Sequence, residues 1–158
     1  YNDRPGDWSI NVQAQDSTPT VATSLAAENL TYGTLYAFEL TKPTISFTGD
    51  AGDNDVGGSN DPQVLNNTGN GNFTAVNVTG YELWESTSDD RILPGNFSVN
   101  VTDSAVGTSV ASSALIPSAA LDRGSTEDLY IYVDIPSGIS DGTYTTNSTT
   151  QWLVEAYT

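Results

Sequence analysis

Apolar and polar side chains alternate along much of this chain. Trp8, Ile10, Val12 and Ala14 are each separated by one polar residue, so a strand ending at Asp16 turns all four to one face. Leu129, Ile131, Val133 and Ile135 repeat the pattern, with Tyr130, Tyr132 and Asp134 opposite. Phe97, Val99 and Val101 point one way while Asn96, Ser98, Asn100 and Thr102 point the other. Val76 and Val78 share a face opposed to Asn77, and Gly80 is expected to allow a bulge that brings Tyr81 and Leu83 inward. Weaker strand patterns cover 21–31, 35–40, 44–47, 63–66, 143–145 and 151–157, while 112–121 is open between strand, loop and helical turn. Asn70-Gly71 is the dipeptide of a tight turn with positive φ, and it predicts a hairpin joining 63–66 to 73–83.

Apolar residues nowhere recur at three and four positions over a sustained window, so no helix is predicted. Gly, Pro, Asn or Asp breaks the β-branched and aromatic runs at intervals of roughly 8 to 15 residues, the rhythm of an all-β sandwich of about nine strands. At 158 residues the chain suits one domain, 1–158.

Charge narrows the partners. Four Lys plus Arg against 20 Asp plus Glu give a net charge of -16, which repels nucleic acid and anionic membrane surfaces. No run approaches the roughly 18 apolar residues that span a bilayer, so membrane insertion is not expected. With no His and no Cys, the usual zinc sites, thiol nucleophiles, disulfides and imidazole-based triads are excluded. Asp89-Asp90 and Glu127-Asp128 could supply an acid and base for glycoside cleavage, but adjacent strand residues point apart, and Arg91 marks a solvated turn. The expectation is a protein that is not an enzyme. Asp outnumbers Glu by 14 to 6 and Lys42 is the single lysine, a surface suited to concentrated salt or to bound divalent ions. The chain opens at Tyr1 and has no Met, so it reads as a processed or trimmed ectodomain, extracellular at a cell surface.

Three groups of residues carry candidate chemistry. Sequons stand at Asn29, Asn66, Asn72, Asn77, Asn96, Asn100 and Asn147; Asn77, Asn96 and Asn100 fall on polar strand faces, where a glycan leaves the core undisturbed. Asp50, Asp53, Asp55 and Asp61 lie in an acidic, glycine-rich loop, 49–61, whose oxygen ligands and flexible backbone suit calcium. No Glu closes an EF-hand pattern there, and a simply solvated loop is the competing reading. Third come the termini. Trp8, Ile10 and Val12 at one end and Trp152, Val154 and Tyr157 at the other are candidate subunit contacts, because a terminal strand can add to a neighbour's sheet. An ordinary core place for Trp8 and Trp152 is the alternative, and Trp84, at a strand end, is the surface tryptophan best suited to stack on a sugar.

The stretch Asn60-Asp61-Pro62-Gln63-Val64-Leu65-Asn66-Asn67-Thr68-Gly69-Asn70, with Val76-Asn77-Val78-Thr79-Gly80-Tyr81-Glu82-Leu83, resembles the middle of immunoglobulin-like β-sandwich domains on archaeal surface proteins. Ile135-Pro136-Ser137-Gly138-Ile139 and Asp141-Gly142-Thr143-Tyr144 resemble their ending. The resemblance covers about half the chain, mostly turns, and lacks the Cys pair of immunoglobulin domains proper. It implies a building block of surface layers, stalks or extracellular filaments. The expected function is therefore a glycosylated filament or pilus subunit whose partners are copies of itself. An immunoglobulin-like module of a surface-layer or adhesin chain, or a carbohydrate-binding module with calcium at its acidic loop, are the alternatives.

Overall fold

A computed structural model describes residues 3–10, 14–15, 21–22, 28–111, 113–146 and 151–158. The protein is all-β. The strands among these residues are β1 (Gly6–Ile10), β2 (Ala14–Gln15), β3 (Val21–Ala22), β4 (Glu28–Tyr32), β5 (Phe38–Leu40), β6 (Val56–Gly57), β7 (Gln63–Asn67) and β8 (Ala75–Thr79). They continue with β9 (Leu83–Trp84), β10 (Arg91–Ile92), β11 (Phe97–Asn100), β12 (Thr108–Ser109), β13 (Ala114–Ile116), β14 (Thr126–Val133) and β15 (Leu153–Tyr157). The single helical turn described is the 3-10 turn Pro94–Asn96.

The alternation at 129–135 makes the longest strand. In β14, Leu129, Ile131 and Val133 are buried and Tyr130 and Tyr132 are half-buried, as a strand covered mainly on one face requires. One edge of β14 pairs antiparallel with β11, from Phe97↔Val133 to Asn100↔Tyr130. The other takes β7, from Thr126↔Asn66 to Leu129↔Gln63, and then β6. The resulting sheet runs β12-β11-β14-β7-β5, and a second runs β13-β8-β15. Val76 and Val78 of β8 and Ala114 and Ile116 of β13 join Leu65, Phe97, Val99 and Ile131 of the first sheet in one apolar core. Each fully buried Val, Leu or Phe contributes roughly 1.5 to 3 kcal/mol, so this shared core is what holds the two sheets together.

Several expectations give way. The Asn70-Gly71 hairpin does not form: β7 pairs with β14 and β5, while β8 pairs with β13 and β15, so 68–74 crosses between sheets. Neither residue has positive φ. Gly69 and Gly71 are required for contact, because a Cβ at Gly69 would collide with the Leu35 carbonyl and one at Gly71 with the Tyr36 ring. Residues 44–47 run beside Asn60 without joining a sheet ladder, and the described part of 112–121, residues 113–121, resolves into β13 followed by a turn. Tyr81 points outward at 37% exposure. Gly80 instead makes room for Val110 and Trp152.

Candidate functional site

β1 and β4 pair only with each other among the described strands, in register Gly6↔Tyr32 to Ile10↔Glu28. Their ladder sets Trp8 opposite Leu30. Both are largely exposed, at 47% and 59%, so this apolar cross-strand pair is solvated and Trp8 is not a core residue. Trp8 Nε1 donates to the Arg4 carbonyl and Thr31 Oγ1 to Asp7 Oδ1, contacts local to the ladder. Val12 lies outside the described residues, and Ile10 is described in its backbone alone.

The root of this ladder is fastened at one end of the body. Asn70, 3% exposed, accepts from the Leu35 amide at 2.6 Å and donates to the Gly33 carbonyl at 3.0 Å. The backbone amides of Asn70 and Gly71 both donate to the Leu35 carbonyl, and those of Thr68 and Gly69 to the Ala37 carbonyl. Beneath it, Asn67 Nδ2 donates to the carbonyls of Gly71, Leu121 and Asp122. Sequence reasoning missed both residues as anchors, having assigned Asn70 to a turn.

At the other terminus, Trp152, Val154 and Ala156 pack against the core, while Leu153 and Tyr157 are each 47% exposed. Trp152 stands edge-on to Phe97, ring centroids 4.8 Å apart, and donates Nε1 to the Tyr81 carbonyl. Of the three C-terminal candidates, Tyr157 alone is presented outward. β15 is the last strand of its sheet, paired to β8 on one side and to no described strand on the other.

Two carboxylates of the acidic loop, those of Asp53 and Asp61, accept from backbone amides. Asp53 Oδ2 accepts from the Asp50 amide, and Asp55, with φ of 57°, donates its amide to Asp134 Oδ1. Asp61 turns inward, where Oδ2 accepts from the amides of Gly58 and Ile131, both at 3.1 Å. Its Oδ1 and the neighbouring Gln63 Nε2 are buried without a partner. Burial pushes the Asp61 carboxyl above its ordinary value, against the two amides and the Lys42 cation. Asp50, Asp53, Asp55 and Asp61 are not gathered around one point: among the described residues no group of three or more carboxylates could hold a metal ion.

Of the two carboxylate pairs, Asp89-Asp90 serves local structure. Asp89, with φ of 61°, accepts from Trp84 Nε1 at 2.8 Å and from Arg91, which also bonds Glu82. The Ser140 amide and the Ser88 hydroxyl hold the Asp90 carboxyl below its usual range. Burial raises Glu127, with Asp128 adding to the shift. Trp84 is 37% exposed, its indole N–H already committed to Asp89.

The sequons divide by environment. Asn72 is exposed and accepts from the Arg123 amide through Oδ1, leaving Nδ2 without a described partner. Asn66, Asn96 and Asn100 are half-buried. Asn100 Nδ2 donates to the carbonyls of Ser104 and Val106, tying down the following loop. Asn77 lies opposite Val76 and Val78 as expected, yet it is only 7% exposed. Its strand is central, so Leu115 and Glu155 flank it, and Nδ2 bonds Thr79 Oγ1 and Glu155. Asn147 lies outside the described residues, as does the side chain of Asn29.

Comparison with protein-family models, with curated proteins and with solved structures found no match.

Proposed function

We propose that this chain is a glycosylated, immunoglobulin-like β-sandwich subunit of an extracellular filament, joined to its copies through terminal strands. The observation that carries the reading is the β1–β4 ladder, which presents Trp8 and Leu30 to solvent and pairs with no other described strand. Two strands alone are marginal in water and gain stability by adding to another sheet. An exposed apolar ladder is therefore costly in isolation and favourable once a second subunit covers it. The single core shared by two sheets supports the sandwich part of the reading, and exposed Asn72 supports the glycan part. A contact between two different surfaces that does not close on itself yields an open helical polymer. Electron microscopy of the native protein tests this: uniform fibres are expected, and single-chain particles at every concentration would overturn it.

A further inference from the structure

An apolar cleft of about 780 Å³ opens beside residues 43–49 and reaches down to Phe97. Ile45, Phe47, Ile139, Tyr144 and Trp152 are among the residues that line it. Residues 44–47 also offer a backbone edge that belongs to no sheet ladder. Ser46 donates its amide to Asn60 Oδ1 and accepts from the Ser59 amide, and the Thr44 carbonyl accepts from Asn60 Nδ2. In extended chain alternate residues direct their N–H and C=O groups to opposite edges. Ile45 and Phe47 thus direct theirs away from Asn60, where they make no backbone hydrogen bond among the described residues. An apolar slot beside open backbone groups accepts extended chain with an apolar residue at every second position.

The same chain carries that pattern. Trp8 and Ile10 of β1 alternate with the polar Asp7 and Ser9, and β1 has one edge on β4 and no described partner on the other. The two features lie at opposite ends of the body. β7 runs from Gln63, on the Asn60 side beside the cleft, to Asn67, on the Asn70 side that holds Gly33 and Leu35. Its five residues alone separate the two ends by roughly 14 Å. A strand rooted at one pole and a slot at the other favour contact between copies, head to tail, over closure within one chain.

We propose that the cleft receives the β1 strand of a second copy, which pairs with the Ile45–Phe47 edge and places Trp8 against Phe47 and Trp152. This inference rests on the filament reading and adds the acceptor. Two full-length variants test it. Trp8→Asp spoils the donor, and Thr143→Trp fills the cleft at an exposed lining position, each checked for an unchanged circular dichroism spectrum. At concentrations where the unmodified chain polymerises, each variant is expected to keep single-chain mass by light scattering. Their equimolar mixture is expected to form one-to-one dimers and stop, since it holds one intact donor and one intact acceptor per pair. Polymerisation of Thr143→Trp, or a mixture that stays single, overturns the cleft assignment and leaves the filament reading standing. An unmodified chain that never polymerises overturns both. A chain carrying Ile10→Cys with Ile139→Cys keeps the test decisive if either variant misfolds, because the natural sequence has no Cys. Oxidation is expected to give a covalent ladder beyond dimers, and a disulfide closed within one chain would overturn the inference.

Discussion

Removing the Asn67 side chain isolates the energetic weight of the crossing between sheets. Asn67 is 2% exposed; Nδ2 donates to the Gly71, Leu121 and Asp122 carbonyls at 2.8, 3.2 and 3.2 Å, and Oδ1 accepts from the Gly69 amide at 3.0 Å. In Asn67→Ala three of these groups keep another partner: Leu121 bonds the Phe73 amide, Asp122 bonds Ser125, and Gly69 donates to Ala37. The Gly71 carbonyl, at a buried residue, has no second described partner. Leaving it unpaired costs about 1–3 kcal/mol, and three weakened bonds add about 0.5 kcal/mol each. The expected loss is thus about 3 kcal/mol, a fall of roughly 6–12 °C in Tm for a domain of this size. Differential scanning calorimetry beside Asn54→Ala supplies the comparison. Asn54 is exposed and makes one bond of 3.3 Å, so its loss is expected to stay within about 0.5 kcal/mol. An Asn67→Ala protein that melts with Asn54→Ala would refute the claim that this side chain holds the crossing.

The hydrogen bond from the Tyr132 hydroxyl to Asp103 is the largest cause of a tyrosine pKa pushed up to about 12. Ultraviolet titration should find one tyrosine ionising there and, in Asp103→Asn, closer to 10.0. The unfolded chain loses that proton first, so wild-type stability should fall as pH rises between these values. Asp61 has the same sign at the acid end: its raised carboxyl costs the folded state nothing below 3.8, and stability is lost as pH rises through its folded value. Asp61→Asn should therefore melt higher than wild type at neutral pH and lose that advantage by the time pH has fallen to 3.8, with the folded wild-type carboxyl already protonated; no neutral-pH gain would refute this. Glycopeptide mapping should find sugar at Asn72 and none at Asn77, whose nitrogen is covered and bonded; the reverse would refute the assignment by exposure.

Two-residue rhythm was legible wherever one face of a strand is buried, as in β14 and β11, because burial itself imposes that period. It failed at Trp8: the sequence of β1 has the same rhythm, but whether its apolar face meets the body depends on tertiary placement that a local pattern does not encode. Asn70-Gly71 failed for a related reason. Turn propensity is a local preference, whereas Asn70 is held by the carbonyl and amide of residues 33 and 35, far away in sequence. Asn77 shows that phase reports which way a side chain points and not what flanks it, since central strands are shaded by their neighbours. The acidic loop was legible in composition alone. Its carboxylates bond specific amides, including that of Ile131 some seventy residues onward, and no spacing rule carries that information. The cleft was illegible altogether, being a gap lined by residues far apart in the sequence, 43–49 and 139–146 among them.

The charge that made nucleic acid an improbable partner also opposes self-association, and its salt dependence separates an apolar joint from an ionic one. A 158-residue domain is about 40 Å across, so two copies of charge -16 repel by roughly 27 kcal/mol in unscreened water. With a Debye length of about 30 Å at 0.01 M salt this falls to roughly 7 kcal/mol, and with one of about 10 Å at 0.1 M to roughly 0.5 kcal/mol. A joint made by Trp8, Ile45, Phe47 and Trp152 has no ion pair to lose over that range. The critical concentration for polymerisation, measured by sedimentation, should therefore drop steeply between about 0.01 and 0.1 M salt and flatten above it, where repulsion is already spent. A joint built on the few cations, Arg4, Lys42, Arg91 and Arg123, would be weakened by the added salt, so a critical concentration that climbs toward 1 M would place the contact elsewhere on the surface.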